Sequence, residues 1–152
     1  MPLRLALFEP DIPQNTGTLM RLAACMNIAL DIIEPCGFLL TDKNLRRAGM
    51  DYIDQLDWQR HNSWQAFHAA CPGRRLVLLT TKTTHRFTDF TFDENDTLLL
   101  GRESAGVPQE VHDACPARVT VPMRAEMRSL NVAIAAAMVL TEALRQTALF
   151  PS

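Results

Sequence analysis

RVTVPMRAEMRSLNVAIAAAMVLTEAL, residues 118–144, predicts a strand, a polar loop and a long helix in direct succession. The strand is the β-branched run Arg118–Val121, which the following proline ends. The loop carries Arg124 and Arg128, and the helix begins near Ser129. Because a helix N-terminus has free backbone N–H groups, its start with a serine cap is a candidate site for polar ligand groups.

The predicted helix has no polar side chain from Val132 to Leu140, so it is apolar on every side. Such a helix needs partners all round, from a domain core, a membrane or a second chain. Its nine apolar residues are too few to cross a bilayer, which takes about 20. We therefore expect the helix to be buried between the rest of its domain and another chain.

Length and composition indicate one globular domain spanning 1–152. The chain is 47% hydrophobic and 21% charged over 152 residues, which allows a substantial core. Its apolar start is too short for a signal peptide, and no segment is expected to span a membrane. The four cysteines form no CxxC pair, which indicates reduced structural thiols in a cytoplasmic protein. The formal charge of −2 does not by itself indicate a nucleic-acid-binding protein.

Alternating patterns along the rest of the chain predict an α/β domain with a largely parallel sheet flanked by helices. The loop from Lys82 and His85 to the acidic turn Asp93–Asp96 is expected to be solvated, and Asn15 is the expected cap of the first helix. The predicted strands are Leu3–Phe8, Ala29–Ile33, Arg75–Thr80 and Thr97–Leu100, with a weaker pattern at 52–58. The predicted helices are Asn15–Met26, Thr41–Ala48 (closed by Gly49), Ser63–Ala70 and Pro108–Ala114.

Several common kinds of site are excluded by their missing motifs. The six glycines form no GxGxxG, and no HExxH or GxSxG occurs. Gly101 and Gly106 have the spacing of a P-loop, but Val107-Pro108 follows where Lys-Ser/Thr is required. No histidine pairs with a carboxylate at ligand spacing, so we expect neither a metal site nor a catalytic triad.

Three polar clusters follow predicted strands, where α/β folds bind ligands. They are Asn15 with Gly17 and Arg21, the segment Gly101–Pro108, and the segment Pro122–Asn131. Taken singly, a structural explanation is favoured for each, with Asn15 and Ser129 as helix caps and the glycines as turn residues. Arg21 fits that explanation less well, because it lies one position off the apolar stripe of its helix and arginine is the usual ligand of phosphate or carboxylate.

Together, in this order and spacing, the clusters resemble the three motifs of the SpoU-type 2′-O-methyltransferases in the SPOUT superfamily of RNA methyltransferases. The motifs appear as Asn15-Thr-Gly-Thr-Leu-Met-Arg21, Leu98-Leu-Leu-Gly-Arg-Glu-Ser-Ala-Gly-Val-Pro108, and Val121-Pro-Met123 with Arg128-Ser-Leu-Asn-Val-Ala133. Flanking segments are similar to the TrmL-type branch, which methylates the wobble nucleotide of tRNA. These segments are Glu9-Pro10 with Ile12-Pro-Gln-Asn15, Ile33-Glu-Pro35 with Gly37-Phe38, and Leu45-Arg-Arg-Ala-Gly49 with Asp51-Tyr52.

The resemblance implies a fold whose C-terminal segment threads a trefoil knot, with S-adenosylmethionine bound in the knot. It also implies a homodimer that meets through the C-terminal helix and has no separate RNA-binding domain. By position in the motifs, the cofactor-binding residues are Leu79, Gly101, Glu103, Val121, Ser129 and Asn131, of which Glu103 and Asn131 brace the knot loops. No metal is expected.

The same resemblance gives Arg21 and Asn15 as catalytic residues. Since arginine stays protonated and cannot be a general base, we expect Arg21 to hold the phosphate of the target nucleotide and orient its 2′-OH. Asn15 would order the loop, and a phosphate oxygen or another group would accept the proton. Candidate RNA-binding residues are Arg46, Arg47, Arg124 and Arg128.

The implied substrate is the anticodon region of tRNA, with cytidine or a modified uridine at the wobble position and leucine isoacceptors as the expected tRNAs. Alternatives are 2′-O-methylation at another tRNA or rRNA site, and a knotted RNA-binding or assembly module without activity. A plain nucleotide-binding protein ranks last, since no phosphate motif is present. Two residues depart from the family pattern: Arg102, where a small residue or proline is expected, and Thr141, where tyrosine is expected.

Overall fold

A six-stranded sheet, parallel throughout, forms the centre of the computed structural model, which describes residues 2–47, 53–127 and 130–152. The strands are β1 Arg4–Phe8, β2 Ala29–Ile33, β3 Trp58–His61, β4 Arg75–Leu79, β5 Asp96–Leu100 and β6 Ala117–Val119. The helices are α1 Pro13–Cys25, α2 Asp42–Arg47, α3 Trp64–Ala69, α4 Gln109–Ala114 and α5 Val132–Thr147, with short 3-10 turns at Ile53–Gln55 and Phe87–Asp89.

The sheet order is β3-β2-β1-β5-β4-β6, so the first half of the chain builds one side of the sheet and the second half the other. The central strands β1 and β5 pair directly, with Leu5 opposite Leu98. Both are almost wholly buried, as expected for parallel strands with helices on both faces. The predicted α/β domain with a parallel sheet is confirmed, whereas the trefoil knot stays a prediction.

Two apolar cores cover the faces of the sheet. The larger core packs α1 and α5 against one face, and Leu19, Ala136 and Leu140 are almost completely inaccessible there. The smaller core packs Trp64 and Phe67 of α3 with Val111 of α4 against the other face. Helices α1 and α5 therefore lie side by side on the same face, and each brings its N-terminal end to the edge where the strands end.

Most of the predicted elements match the structure within a few residues, but two expectations are wrong. Asn15 does not cap α1, because the helix begins earlier at Pro13, whose fixed φ and missing N–H suit the first helical position. The weak strand pattern at 52–58 is instead a 3-10 turn followed by β3, which begins at Trp58. Of the helix predicted over Thr41–Ala48, α2 covers Asp42–Arg47, and Ala48 and Gly49 lie outside the described residues.

The loop between β4 and β5 is not solvated throughout. Phe87, Phe90 and Phe92 from this loop are buried in the larger core. Asp96, predicted as part of a solvated turn, is fully buried and forms a two-point ion pair with Arg75 at 2.8 and 2.7 Å. These three aromatic rings anchor the loop to the core. Their spacing matches neither a helical nor a strand periodicity, so the sequence pattern did not predict their burial.

Candidate active site

A cavity of about 520 Å³ opens at the carboxyl ends of β4, β5 and β6. Its floor is formed by the ends of these strands and its walls by the loops that follow them and by the start of α5. The apolar lining residues include Leu79, Leu100, Val119, Val121, Met123, Leu130 and Val132. The polar lining residues include Asn15, Thr80, Lys82, Arg102, Glu103, Gln109, Thr120 and Asn131. A partly apolar cavity with a few convergent polar groups is the usual form of a small-molecule site.

The second predicted motif forms a tight turn beside this cavity. Arg102 N–H donates to the carbonyl of Gly106 at 3.0 Å, and Gly106 N–H donates back to the carbonyl of Arg102 at 2.7 Å. Gly106 has a φ of +67°, which favours glycine. A Cβ on Gly101 would lie 2.8 Å from the backbone of Gly106, so the turn closes only over a glycine there. The structural explanation for both glycines is correct, and it is also what shapes the cavity wall.

Side chains from all three motifs meet in one hydrogen-bonded chain. Asn15 donates its side-chain N–H to Glu103 Oε2 at 3.3 Å, and Asn131 donates to Asn15 Oδ1 at 3.1 Å. Asn131 Oδ1 in turn accepts from the backbone N–H groups of Ala133 and Ile134, which makes it the N-cap of α5. The helix cap expected at Ser129 is therefore Asn131, and side chains from the three clusters meet beside the cavity.

Two carboxyl groups lie against each other at the rim of the cavity. Glu103 Oε1 accepts from the backbone N–H of Asp11 at 2.9 Å. Burial of Glu103, and then its side-chain hydrogen bond with Asp11, raise the pKa of the Glu103 carboxyl. The side-chain hydrogen bonds from Glu103 and Ser104, and then the charge of Arg102, lower the pKa of Asp11. Of the two carboxyl groups, Asp11 is therefore the more acidic and Glu103 the one that holds a proton more readily.

Arg21 lies away from this cavity within its own chain. It is exposed on the same face of α1 as Thr18 and Cys25, and it is not among the described residues that line the cavity. Arg21 follows Asn15 by six positions, which corresponds to about 9 Å along the helix axis and a rotation of roughly 240°. Arg21 and Asn15, predicted to act together, therefore leave α1 in different directions.

The predicted cofactor-binding residues are brought together where the structure describes them. Leu79, Gly101, Glu103, Val121 and Asn131 all line the cavity. Ser129 and Arg128 lie outside the described residues, so their predicted roles stay predictions. Among the RNA-binding candidates, Arg46 is exposed 3.9 Å from Asp54, and Arg124 is exposed with a 2.9 Å ion pair to Glu126. Arg47 ends α2, and its side chain is outside the description.

Lys82, His112 and Gln109 line the cavity although the sequence did not single them out. Lys82 follows Thr80 and Thr81 directly after the end of β4, and its backbone N–H donates to Thr80 Oγ1 at 3.0 Å. Because ligands bind after the carboxyl ends of parallel strands, the position of Lys82 after β4 could have identified it as a site residue. It was left out of the predicted site because the loop was expected to be solvated.

The outward face of α5, a helix that packs against α1, is apolar. Ile134 and Met138 are 55% and 42% exposed, and Thr141 follows them on the same face. Ala133, Ala136, Val139 and Leu140 on the opposite face are buried in the domain core. The helix predicted to be apolar all round therefore has only one of its sides covered by its own chain.

The described residues include neither a metal-binding cluster nor a membrane-spanning helix. They contain no group of three or more His, Cys, Asp or Glu side chains placed to hold a metal ion. No helix among them is both long and apolar enough to cross a membrane. All four cysteines are free, with Cys115 buried and Cys25 exposed on α1.

Comparison with known proteins gives a family match over nearly the whole chain. The sequence model of the SpoU rRNA Methylase family matches residues 2–141. A tRNA (cytidine(34)-2′-O)-methyltransferase of Beijerinckia indica is 60% identical over 144 residues, covering 93% of this chain and 90% of that protein.

Solved structures agree with the sequence match. A structure concerned with the 2-OH methylation of C/U34 on tRNA superposes with a TM-score of 0.89 at 40% identity, and each chain is covered to 95%. The SpoU methyltransferase AviRb of Streptomyces viridochromogenes, in complex with the cofactor AdoMet, superposes with a TM-score of 0.79 at 27% identity. That match covers 95% of this chain and 60% of AviRb.

Proposed function

The chain belongs to the SpoU rRNA Methylase family, and we propose that it transfers the methyl group of S-adenosylmethionine to the ribose 2′-OH of nucleotide 34, the wobble nucleotide, of tRNA. The observation that carries this proposal is the convergence of three motif segments on one cavity through the hydrogen bonds Glu103–Asn15–Asn131. The similar proteins named above support both the reaction and the nucleotide. Leucine isoacceptors are the proposed tRNAs.

The cavity fits S-adenosylmethionine in size and in the chemistry of its lining. Its volume of about 520 Å³ lies within the roughly 300–1,000 Å³ of drug-sized ligand sites. The apolar residues Leu79, at the end of β4, and Val121, two residues after β6, suit a flat adenine ring. Backbone N–H and C=O groups of the strand ends and of the glycine turn would meet its polar edge. Gly101 allows the turn to close tightly beside the cavity, since a Cβ there would lie 2.8 Å from the Gly106 backbone. The bound group supplies an electrophilic methyl on a sulfonium centre.

Catalysis by this chain depends on positioning. Holding two reacting groups in line can contribute about 7–11 kcal/mol to lowering a barrier. Asn131 fixes the start of α5 by capping it, and Asn15 ties that start to Glu103 on the opposite wall. We infer that this tie keeps the cavity walls at a constant separation while the ribose approaches. Arg21 would hold the target phosphate, and the proton of the 2′-OH would leave to a phosphate oxygen or another group.

The direction of Arg21 favours an active site shared between two copies of the chain. Arg21 is exposed on α1, and α1 packs against α5, whose apolar Ile134 and Met138 are also exposed. A second copy packed on that apolar face would cover it and would bring its own Arg21 toward the first copy's cavity. We therefore propose a homodimer through α5. The proposed location is the cytoplasm, where mature tRNA is available to the enzyme.

The proposed reaction is tested with purified protein, radiolabelled S-adenosylmethionine and total tRNA from a strain lacking the gene. Nuclease digestion and mass spectrometry then locate the label. Label on the ribose of the wobble nucleotide of leucine tRNA is the expected result. Label on ribosomal RNA or on another tRNA nucleotide would support the proposed methyl transfer but reject nucleotide 34 of tRNA as its substrate. Tight cofactor binding without transfer to any RNA would favour a module without activity.

Arg21→Ala tests the catalytic assignment in the same assay. The phosphate contact is lost while the cofactor-binding residues stay in place, so we expect the rate of transfer to fall by about a hundredfold or more with the affinity for S-adenosylmethionine unchanged. Arg60→Ala is the matched control, because it removes an exposed arginine from β3 at the far edge of the sheet. Near-normal turnover of Arg21→Ala would remove Arg21 from the mechanism.

A further inference from the structure

Arg102 joins two loops at the entrance to the cavity. Its guanidinium lies 3.6 Å from Glu9 Oε1 and 3.5 Å from Asp11 Oδ2, and its side chain is 30% exposed. These separations are those of ion pairs rather than of tight hydrogen bonds. Both acids belong to the loop between β1 and α1, whereas Arg102 belongs to the loop after β5.

A third loop closes on the same point. The backbone N–H of Gly37 donates to the carbonyl of Pro10 at 2.9 Å. A Cβ on Gly37 would lie 2.5 Å from Asp11 Cβ and 3.4 Å from Arg102 Nη2. The loop after β2 therefore packs directly on Asp11, and this close packing limits the positions that the Asp11 side chain can take.

Asp11 is thus held from two adjacent residues. Glu103 accepts its backbone N–H at 2.9 Å, and Arg102 faces its carboxylate. Only Ile12 separates Asp11 from Pro13, the first residue of α1, and Asn15 lies in the first turn of that helix. Fixing Asp11 therefore fixes where α1 begins and where Asn15 meets Glu103.

We propose that Arg102 is a positioning residue for methyl transfer, which holds the start of α1 against the cavity through its ion pairs with Glu9 and Asp11. This inference rests on the proposed function for its kinetic test. A direct contact between Arg102 and an RNA phosphate is disfavoured, because two carboxylates already face the guanidinium and would repel a phosphate at that place.

The arrangement depends on the charge of Asp11. Glu9 and Asp11 face Arg102 directly, and Glu103 is bonded to Asp11. The charge of Arg102 also acts on the Cys36 thiol, together with the charges of Glu9, Glu34 and Arg60. Burial raises the pKa of the Cys36 thiol to about 11, so this thiol stays neutral in the working range. The charge of Arg102 contributes to lowering the pKa of Asp11. In a variant without that charge, Asp11 takes up its proton at a higher pH, so its negative charge is lost at a less acidic pH.

The test compares the wild type with Arg102→Ala and Arg102→Lys, measuring kcat and KM for tRNA from about pH 5 to about pH 9. We expect kcat of Arg102→Ala to fall about tenfold with KM for tRNA changed less than about twofold, and the acid limb of its profile to move to higher pH. Arg102→Lys keeps the charge and should recover part of kcat and the wild-type acid limb. Adding Asp11→Asn to Arg102→Ala removes the unpaired carboxylate and should cost less than the sum of the two single changes.

A raised KM for tRNA at normal kcat would overturn the proposal, since it would make Arg102 an RNA contact. An unshifted acid limb, or strictly additive single changes, would also overturn it. Amide hydrogen exchange provides a readout that does not need activity. We expect residues 9–16 to exchange faster in Arg102→Ala than in the wild type, with β3 unchanged. Equal exchange of residues 9–16 in the two proteins would contradict the positioning role of Arg102, whether or not the wild type methylates tRNA. Absence of methylation by the wild type would reject the proposed function and would leave the exchange result to decide the role of Arg102.

Discussion

The side-chain amide of Asn131 donates a hydrogen bond of 3.1 Å to the side-chain oxygen of Asn15, which lies 116 positions earlier in the chain. Through this bond the N-terminal ends of α1 and α5 are linked at the mouth of the cavity. Asn131 has a second task, since its oxygen caps α5. The side-chain oxygen of Asn131 therefore contributes to stability and its side-chain N–H to the geometry of the site. A substitution that removes only the N–H distinguishes the two contributions.

Asn131→Ala removes both contributions, whereas Asn131→Asp removes only the donor to Asn15. Losing an N-cap costs about 1 kcal/mol, so we expect a lower Tm for the alanine variant only. An aspartate still accepts from the first backbone N–H groups of α5. Both variants should lose methyl transfer, because the link to Asn15 is broken in each. Wild-type activity of Asn131→Asp would show that the link is not required.

Gly101→Ala should weaken cofactor binding strongly. The new Cβ would lie 2.8 Å from the backbone of Gly106, which cannot move aside as a flexible side chain would. Overpacking of this kind costs about 1–3 kcal/mol, so the Kd for S-adenosylmethionine measured by calorimetry should rise about tenfold. Gly73→Ala is the control, because its Cβ has nothing within 4 Å and the strain at its φ of +78° lies in another loop. That variant should lose stability and keep its Kd.

The buried thiol of Cys115 should make the fold less stable at high pH. Burial raises the pKa of this thiol from 9.0 to about 11. The folded state therefore holds the proton more tightly than the unfolded state, and the resulting stability is present below pH 9 and lost as the pH rises toward 11. The loss amounts to roughly 2–3 kcal/mol.

Denaturant unfolding at several alkaline pH values measures the loss of stability expected from the Cys115 thiol. The free energy of unfolding should fall less steeply with pH in Cys115→Ala than in the wild type, although the variant starts about 1 kcal/mol lower at neutral pH. Cys25→Ala is the control because Cys25 is exposed, and its profile should follow the wild type. Parallel profiles for all three proteins would mean that Cys115 ionises equally well in the folded state.

Met138→Glu should separate the proposed dimer. Met138 is 42% exposed in the centre of the outward face of α5, and a carboxylate there would be buried without a partner on association. Sedimentation should give a dimer for the wild type and a monomer for the variant. Leu39→Glu places the same charge on a side chain that is 75% exposed in another loop, and it should stay dimeric. A wild-type monomer at micromolar concentration would reject the dimer through α5.

The sheet and most helices were predictable from sequence because their signals are local. Buried parallel strands such as Leu76–Leu78 are short apolar runs, and helices such as α3 begin at a recognisable cap, Ser63, which accepts from Ala66 N–H at 3.1 Å. The cap at Asn15 was wrong for a local reason, Pro13 at the first helical position, whereas the prediction of a solvated loop before β5 was wrong because long-range contacts decide its structure. Asp96 occurs in a stretch that looks like a solvated turn, and only the sheet brings Arg75 beside it.

In the candidate site too, the residues were predictable from sequence but their contacts were not. Gly101, Glu103 and Asn131 were identified by their motif positions, but their mutual contacts depend on loops that the sequence does not arrange. The role of Arg102 depends on Asp11, 91 positions earlier, and on the closeness of Gly37. A departure from a family pattern is visible in sequence, whereas the residue that compensates for it is visible only in the fold.

The most direct test of wobble methylation uses two leucine tRNA transcripts that differ only in the ribose of nucleotide 34, one with its 2′-OH and one with a 2′-deoxy sugar. Both are incubated with the protein and labelled S-adenosylmethionine under single-turnover conditions. We predict transfer to the first transcript and none to the second, with both transcripts competing equally for binding. Equal labelling of the 2′-deoxy transcript would contradict the proposed reaction, because the methyl group would then be carried by another atom of the tRNA.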